Sequence, residues 1–131
     1  MNSIDIDDIK IPVSIGELFD KYSILKIKSC KITDTNKQQL VTKELELLKP
    51  YLQLYDLDNK IYEELKRVNG ELWIIEDKLR VKESLQTFDQ EFIQLARKVY
   101  LTNDKRAAIK KEINMKFNSK IIEVKDYINY N

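Results

Sequence analysis

Glu17 and Asp20 stand in E-x-x-D spacing, which on a helix turns both carboxylates to one face, as metal-dependent phosphate chemistry requires. A divalent cation needs more oxygen ligands than two side chains supply. The E-E-x-x-E companion that would complete such a centre is broken, because Glu63 and Glu64 are followed at its last position by Arg67. A second constellation runs along Lys66, Asn69, Trp73, Glu76, Arg80 and Glu83, a heptad-spaced stripe that sets the only tryptophan among ions. On one reading its indole is a stacking platform beside the Glu76 and Arg80 pair, suited to a sugar or base ring. On the other it fills a wide core position with its N–H on a carboxylate. A third set comprises Arg97, Asp104, Arg106 and Lys110. Arg97 suits bidentate capture of a ligand carboxylate or phosphate, or of Asp89 or Asp104 within the fold, and Asp104 suits the cap region of a helix. The chain has no histidine, so Ser/His and Cys/His nucleophile systems and His-based zinc or iron sites are excluded. The residues therefore name no catalytic group, no metal site and no cofactor. The candidate ligand-binding residues are Trp73, Glu76, Arg80, Arg97, Asp104, Arg106 and Lys110.

The charge pattern supports a basic surface. The net charge is only +1, yet residues 92–131 carry nine bases and four acids, while residues 38–91 carry twelve acids and eight bases. Arg97, Lys98, Lys105, Arg106, Lys110 and Lys111 would attract phosphate groups of a nucleotide, a sugar nucleotide or a nucleic acid. Pairing of a basic helix with an acidic one inside the fold accounts for the same asymmetry without a ligand.

These residues need helices to position them. Two glycines and two prolines in 131 residues give too little turn chemistry for an all-β fold. Ser14 and Glu17 form a capping box, with Val13 and Leu18 as its staple, and Ile15, Leu18, Tyr22, Leu25, Ser29 and Ile32 continue as a helical seam to about Thr33. Asp34 to Asn36 supply a turn and a new cap for a second helix through Val41, Leu45, Leu48, Leu52 and Tyr55, with a kink or break expected near Lys49 because of Pro50. The third helix follows Asp58 and runs from about Asn59 to Leu85 despite Gly70. Thr87 and Gln90 form a weaker capping box for a fourth helix, which Thr102, Asn103 and Asp104 separate from a fifth carrying Ile109, Ile113 and Phe117. Ile4 to Val13 alternate apolar and polar residues, and 119–130 is rich in Ile, Val and Tyr, so the two termini are expected to pair as short strands.

Composition bounds the rest. The length fits a single domain over 1–131, with 43% apolar and 34% charged residues. There is no apolar run long enough to span a membrane, and Asp5, Asp7 and Asp8 stand where a signal peptide carries positive charge, so a cytoplasmic protein without membrane contact is expected. The single cysteine, Cys30, is expected as a small packing residue in a reducing compartment.

Three stretches, PVSIGELFDKYSILKIK (12–28), VNGELWIIEDKLRVKE (68–83) and FDQEFIQLARKVYLTNDKRAAIKKEIN (88–114), resemble an uncharacterised bacterial and phage family that carries only a domain-of-unknown-function label. The likeness spans nearly the whole chain. It implies no activity and no catalytic residue, and at most a surface-glycan context.

The expectation is therefore a mostly α, single-domain bundle of about five helices, with a two-stranded pairing of the termini. Its leading function is a non-enzymatic interaction or accessory module with an anion-binding basic surface. The partner is a protein or an anionic small molecule, with a homo-oligomer as a further form. The alternatives are a Mg-dependent enzyme acting on nucleotide or sugar phosphates and, less favoured, nucleic-acid binding.

Overall fold

The computed structural model describes residues 9–130, which form four helices: α1 (Ile15–Lys31), α2 (Thr35–Leu52), α3 (Asn59–Ser84) and α4 (Gln90–Lys116). Three of the four starts follow from the capping residues expected. Ser14 Oγ accepts from Glu17 N–H, Asp34 from Lys37 N–H and Asp58 from Lys60 N–H, each satisfying an amide that the first turn leaves without a helical partner. At α4 the cap is Asp89, whose carboxylate accepts from Phe92 N–H at 2.9 Å, rather than Thr87.

The proposed fourth and fifth helices are one. Thr102, Asn103 and Asp104 are poor helix formers, but none removes a backbone donor, and Thr102 is only 5% exposed. Burial of their helix outweighs a propensity deficit of a few tenths of a kcal/mol per residue. α2 likewise continues through Pro50 and ends at Leu52, so the break falls just past the proline rather than at Lys49.

No strand occurs among the described residues, and the expected terminal pairing is not formed by 9–13 and 119–130; its Ile4 and Ile6 lie outside the described residues. The C-terminal segment is held by side chains instead. Asn118 adopts a left-handed backbone (φ 51°), and Ser119 N–H reaches back to Asn114 O at 2.9 Å, a helix-ending turn that sends the chain back along α4. Tyr130 then stacks edge-on against Tyr100, with ring centroids 5.5 Å apart, and donates its hydroxyl to Asp104.

α1 is the central helix. It packs on α2, α3 and α4, whereas α2 packs on α1 alone and α3 pairs with α4. Contacts between α1 and α4 run in opposite directions along the chain, Gly16 with Asn114, Glu17 with Lys110 and Asp20 with Arg106, so the two helices are antiparallel. The core joins Phe19, Leu65, Val68, Ile109 and Ile113, with Tyr55, Tyr62 and Phe117 packed around it. The seam expected on α1 captures Leu18 and Leu25, but the residues that meet α3 and α4 are Gly16, Phe19, Asp20 and Ser23. Cys30 is exposed at the end of α1 rather than packed.

Gly70 sits within α3 with no atom within 4 Å of where a Cβ would stand. Gly70→Ala should therefore stabilise the fold by about 0.5–1 kcal/mol through restriction of the unfolded chain and better helix propensity, read as a higher urea midpoint.

Candidate functional site

The polar face of α1 carries the densest set of interacting side chains. At its start, three backbone amides are taken by side-chain oxygens from both ends of the chain. Ile15 N–H donates to Ser119 Oγ (3.0 Å), Gly16 N–H to Asn114 Oδ1 (2.6 Å) and Glu17 N–H to Ser14 Oγ (3.0 Å). The positive end of the helix is thus filled from within the fold. Gly16 permits this approach, since a Cβ there would press into the Lys110 carbonyl oxygen and lie 2.9 Å from Asn114 Oδ1.

One turn further, Asp20 is fully buried. Its Oδ1 accepts from Asn69 Nδ2 and from Arg106 Nε, both at 2.9 Å, and its Oδ2 accepts from the Arg106 terminal nitrogen, which completes a bidentate pair. Asn69 also donates to Ser23 Oγ at 2.8 Å, and Ser23 donates to the Asp20 carbonyl. Lys110, only 7% exposed, donates to Glu17 Oε2 (2.7 Å) and to Glu123 Oε2 (2.9 Å), with Asp20 Oδ2 at 4.0 Å. Lys125 closes the set on Glu123 Oε1 at 3.0 Å. Glu17, Asp20 and Glu123 are thereby matched by Arg106, Lys110 and Lys125, and the cluster is neutral.

The electrostatics follow from this pairing. The Asp20 hydrogen bonds hold Arg106 above its usual value, outweighing burial. Burial alone would lower the Lys110 ammonium, yet its bonds to Glu17 and Glu123 leave it raised. Lys110, and then Lys125, pull the Glu123 carboxyl down to about 2. A depressed carboxyl stabilises the fold above its unfolded pKa, so the Glu123 contribution is complete above pH 4.5 and is lost as pH falls towards 2. Because this side chain is 39% exposed, solvent screens the effect to below about 1 kcal/mol. Glu123→Gln should flatten the pH dependence of stability between those limits, and hydrogen exchange should show faster exchange in 119–130.

The residues singled out by sequence divide into groups. Arg106 and Lys110 come together, joined by the Glu17 and Asp20 pair that the sequence offered separately as a cation site; the two bases already neutralise those two carboxylates. Asp104 lies inside α4 under the Tyr130 hydroxyl rather than in a helix cap. Arg97 is exposed and reaches Gln94 at 3.4 Å, not Asp89, whose carboxylate takes Lys82 at 3.0 Å. Trp73 is half-buried on α3, with Glu76 and Arg80 exposed beside it. No hydrogen bond or ion pair among the described residues links these three, or Arg97, to the Arg106 cluster. Sequence reasoning missed Asp20 as a partner of Arg106, and Ser23, Asn114 and Ser119. The available signal was the row of small and polar residues at helical spacing along α1, Gly16, Asp20 and Ser23, which a protein interior accepts only when partners satisfy it.

Fold and cluster define an all-α protein built on a buried ionic clasp. The chain belongs to the Family of unknown function (DUF6165), which matches it over residues 9–130. No curated protein and no solved structure matches it. Among the described residues, no helix is long and apolar enough to cross a membrane, and no group of three or more Cys, Asp or Glu side chains is placed to hold a metal ion.

Proposed function

We propose that this chain is a non-catalytic interaction module that pairs with a second copy of itself through α2. The supporting observation is the outer face of that helix. Leu40, Leu47 and Tyr51 are 68%, 50% and 45% exposed and lie on one stripe of α2, with Leu54, 72% exposed, in the turn just past its end, while Val41, Leu45 and Leu48 lie on the side that packs on α1. In an antiparallel pair centred on Leu47, Leu47 meets Leu47 of the other copy, Tyr51 meets Lys43, and Glu46 stands near Lys49. A two-fold interface needs this self-complementarity in both shape and charge. The buried ionic cluster supports a non-catalytic role, because each of its ions is already matched inside the fold.

Sedimentation equilibrium on the full chain should give twice the monomer mass. Leu47→Glu, at a half-exposed position, should return the monomer mass with unchanged helicity. A monomer at high protein concentration, or a dimer indifferent to Leu47→Glu, would refute the assignment.

A second reading keeps the anionic partner. Arg97, Lys98, Lys105 and Lys111 are exposed on α4, and among the described residues none of them joins an ion pair. They, rather than Arg106 and Lys110, would carry such binding. Retention on phosphocellulose at low salt that disappears as ionic strength rises supports it, and absence of retention removes it.

A further inference from the structure

Where the end of α2 crosses to α3, the chain leaves a cleft of about 430 Å³ whose walls differ in chemistry. Its floor and sides are aromatic: Phe19 and Tyr22 from α1, Tyr55 from the connection, and Tyr62 from α3. The Tyr22 and Tyr62 rings stand 5.9 Å apart at 40° to each other, tilted rather than stacked flat. Tyr55 also packs edge to face on Phe117, with ring centroids 5.3 Å apart. The rim is polar. Lys49, Gln53, Asp56 and Asn59 line it and are exposed.

The partner status of these rim groups sets the cleft apart from the Asp20 cluster. There, every ion is matched within the fold. Here the three tyrosine hydroxyls, the two amides, the Asp56 carboxylate and the Lys49 ammonium form no hydrogen bond with the protein among the described residues. Burial, then the neighbouring Tyr22 and Glu63, pushes the Tyr62 hydroxyl up to about 12, so it remains a neutral donor and acceptor at every ordinary pH.

We infer that this cleft binds a neutral, polyhydroxylated ring, a sugar in chemical class, through its apolar C–H face on the tyrosines and its hydroxyls on the rim. Lys49 and Asp56 cancel in charge, so the rim favours neither an anion nor a cation. Amides and carboxylates placed around an aromatic floor satisfy vicinal hydroxyls, which donate and accept together. A purely aromatic ligand would cover the same floor but make no hydrogen bond to Gln53, Asp56 and Asn59, so it gains less there than a ring bearing hydroxyls. The inference rests on different residues from the α2 stripe, apart from the rim position of Lys49, and stands whether or not the chain dimerises.

The test is a titration of the full chain with D-glucose, D-galactose and N-acetyl-D-glucosamine, following the tyrosine ring resonances by NMR, with phenol as the aromatic control. At least one sugar should give saturable shifts at Tyr22 and Tyr62 in the millimolar range. Asp56→Ala and Asn59→Ala, both at exposed positions that leave the core intact, should each weaken binding about ten-fold, the cost of one lost hydrogen bond to a polar ligand. The assignment is overturned if no sugar saturates, if both variants bind as the native chain does, or if phenol binds the same residues at least as tightly as every sugar.

Discussion

Arg106→Met should destabilise the folded chain by about 3 kcal/mol, the largest single effect expected of any charged residue here, because it leaves the buried Asp20 carboxylate with only the Lys110 ammonium, 4.0 Å from its Oδ2, as counter-charge. Asp20 is wholly enclosed, and Arg106 supplies two of its three side-chain hydrogen bonds, leaving only Asn69. The guanidinium is 28% exposed, which places the effect at the lower end of the range for breaking buried pairs. For a chain of this length the loss corresponds to a fall of roughly 10 °C in Tm. Asp20→Asn combined with Arg106→Met should recover much of it, since the neutral amide no longer requires a cation. Urea denaturation of the two singles and the double would measure the coupling. If the double is no more stable than Arg106→Met alone, the pairing is not what holds Asp20.

The second large effect is steric. Gly16→Ala should cost about 3 kcal/mol, because its methyl group meets backbone on α4 and cannot be relieved by turning a side chain. Separating α1 from α4 by the required distance would also stretch the Gly16 N–H bond to Asn114 and the Ile15 N–H bond to Ser119. Gly70→Ala makes the internal comparison, since it adds the same methyl group to open space. Opposite signs for the two glycines in thermal denaturation are expected. Equal effects would show that α1 and α4 do not approach as described.

The same residues explain how far the sequence could be read. Helix starts were legible where one side chain does the work locally, as at Ser14, Asp34 and Asp58, because a cap depends on residues two or three positions away. The continuity of α4 was not. Thr102 to Asp104 look like a break by propensity, and the packing that overrides them comes from Asp20 and the core, more than eighty positions distant for Arg106. The C-terminal Ile, Val and Tyr residues have strand composition, but what fixes 119–130 is Ser119, Glu123 and Tyr130, three side-chain contacts and no backbone ladder.

The site was half visible for a related reason. Arg106 and Lys110 were singled out by sign, and Glu17 and Asp20 by spacing. Each set suggested a ligand of opposite charge, an anion for one and a metal cation for the other. Folding brings the two sets together, and each serves as the other's counterion. Local periodicity contains no information about that meeting. It could have been suspected from Gly16, Asp20 and Ser23, which interrupt the apolar positions of a helix buried on several sides, and from Asn69 and Asn114 on the buried faces of α3 and α4.

Whether the clasp is internal architecture or an open anion site is tested most directly by the Arg106 Nε–H resonance in the NMR spectrum during a titration with inorganic phosphate. An internal clasp predicts a signal protected from solvent exchange and unmoved at saturating phosphate, because both Asp20 oxygens already hold the guanidinium. A saturable shift of that resonance, or its loss to rapid solvent exchange in the absence of phosphate, would contradict it.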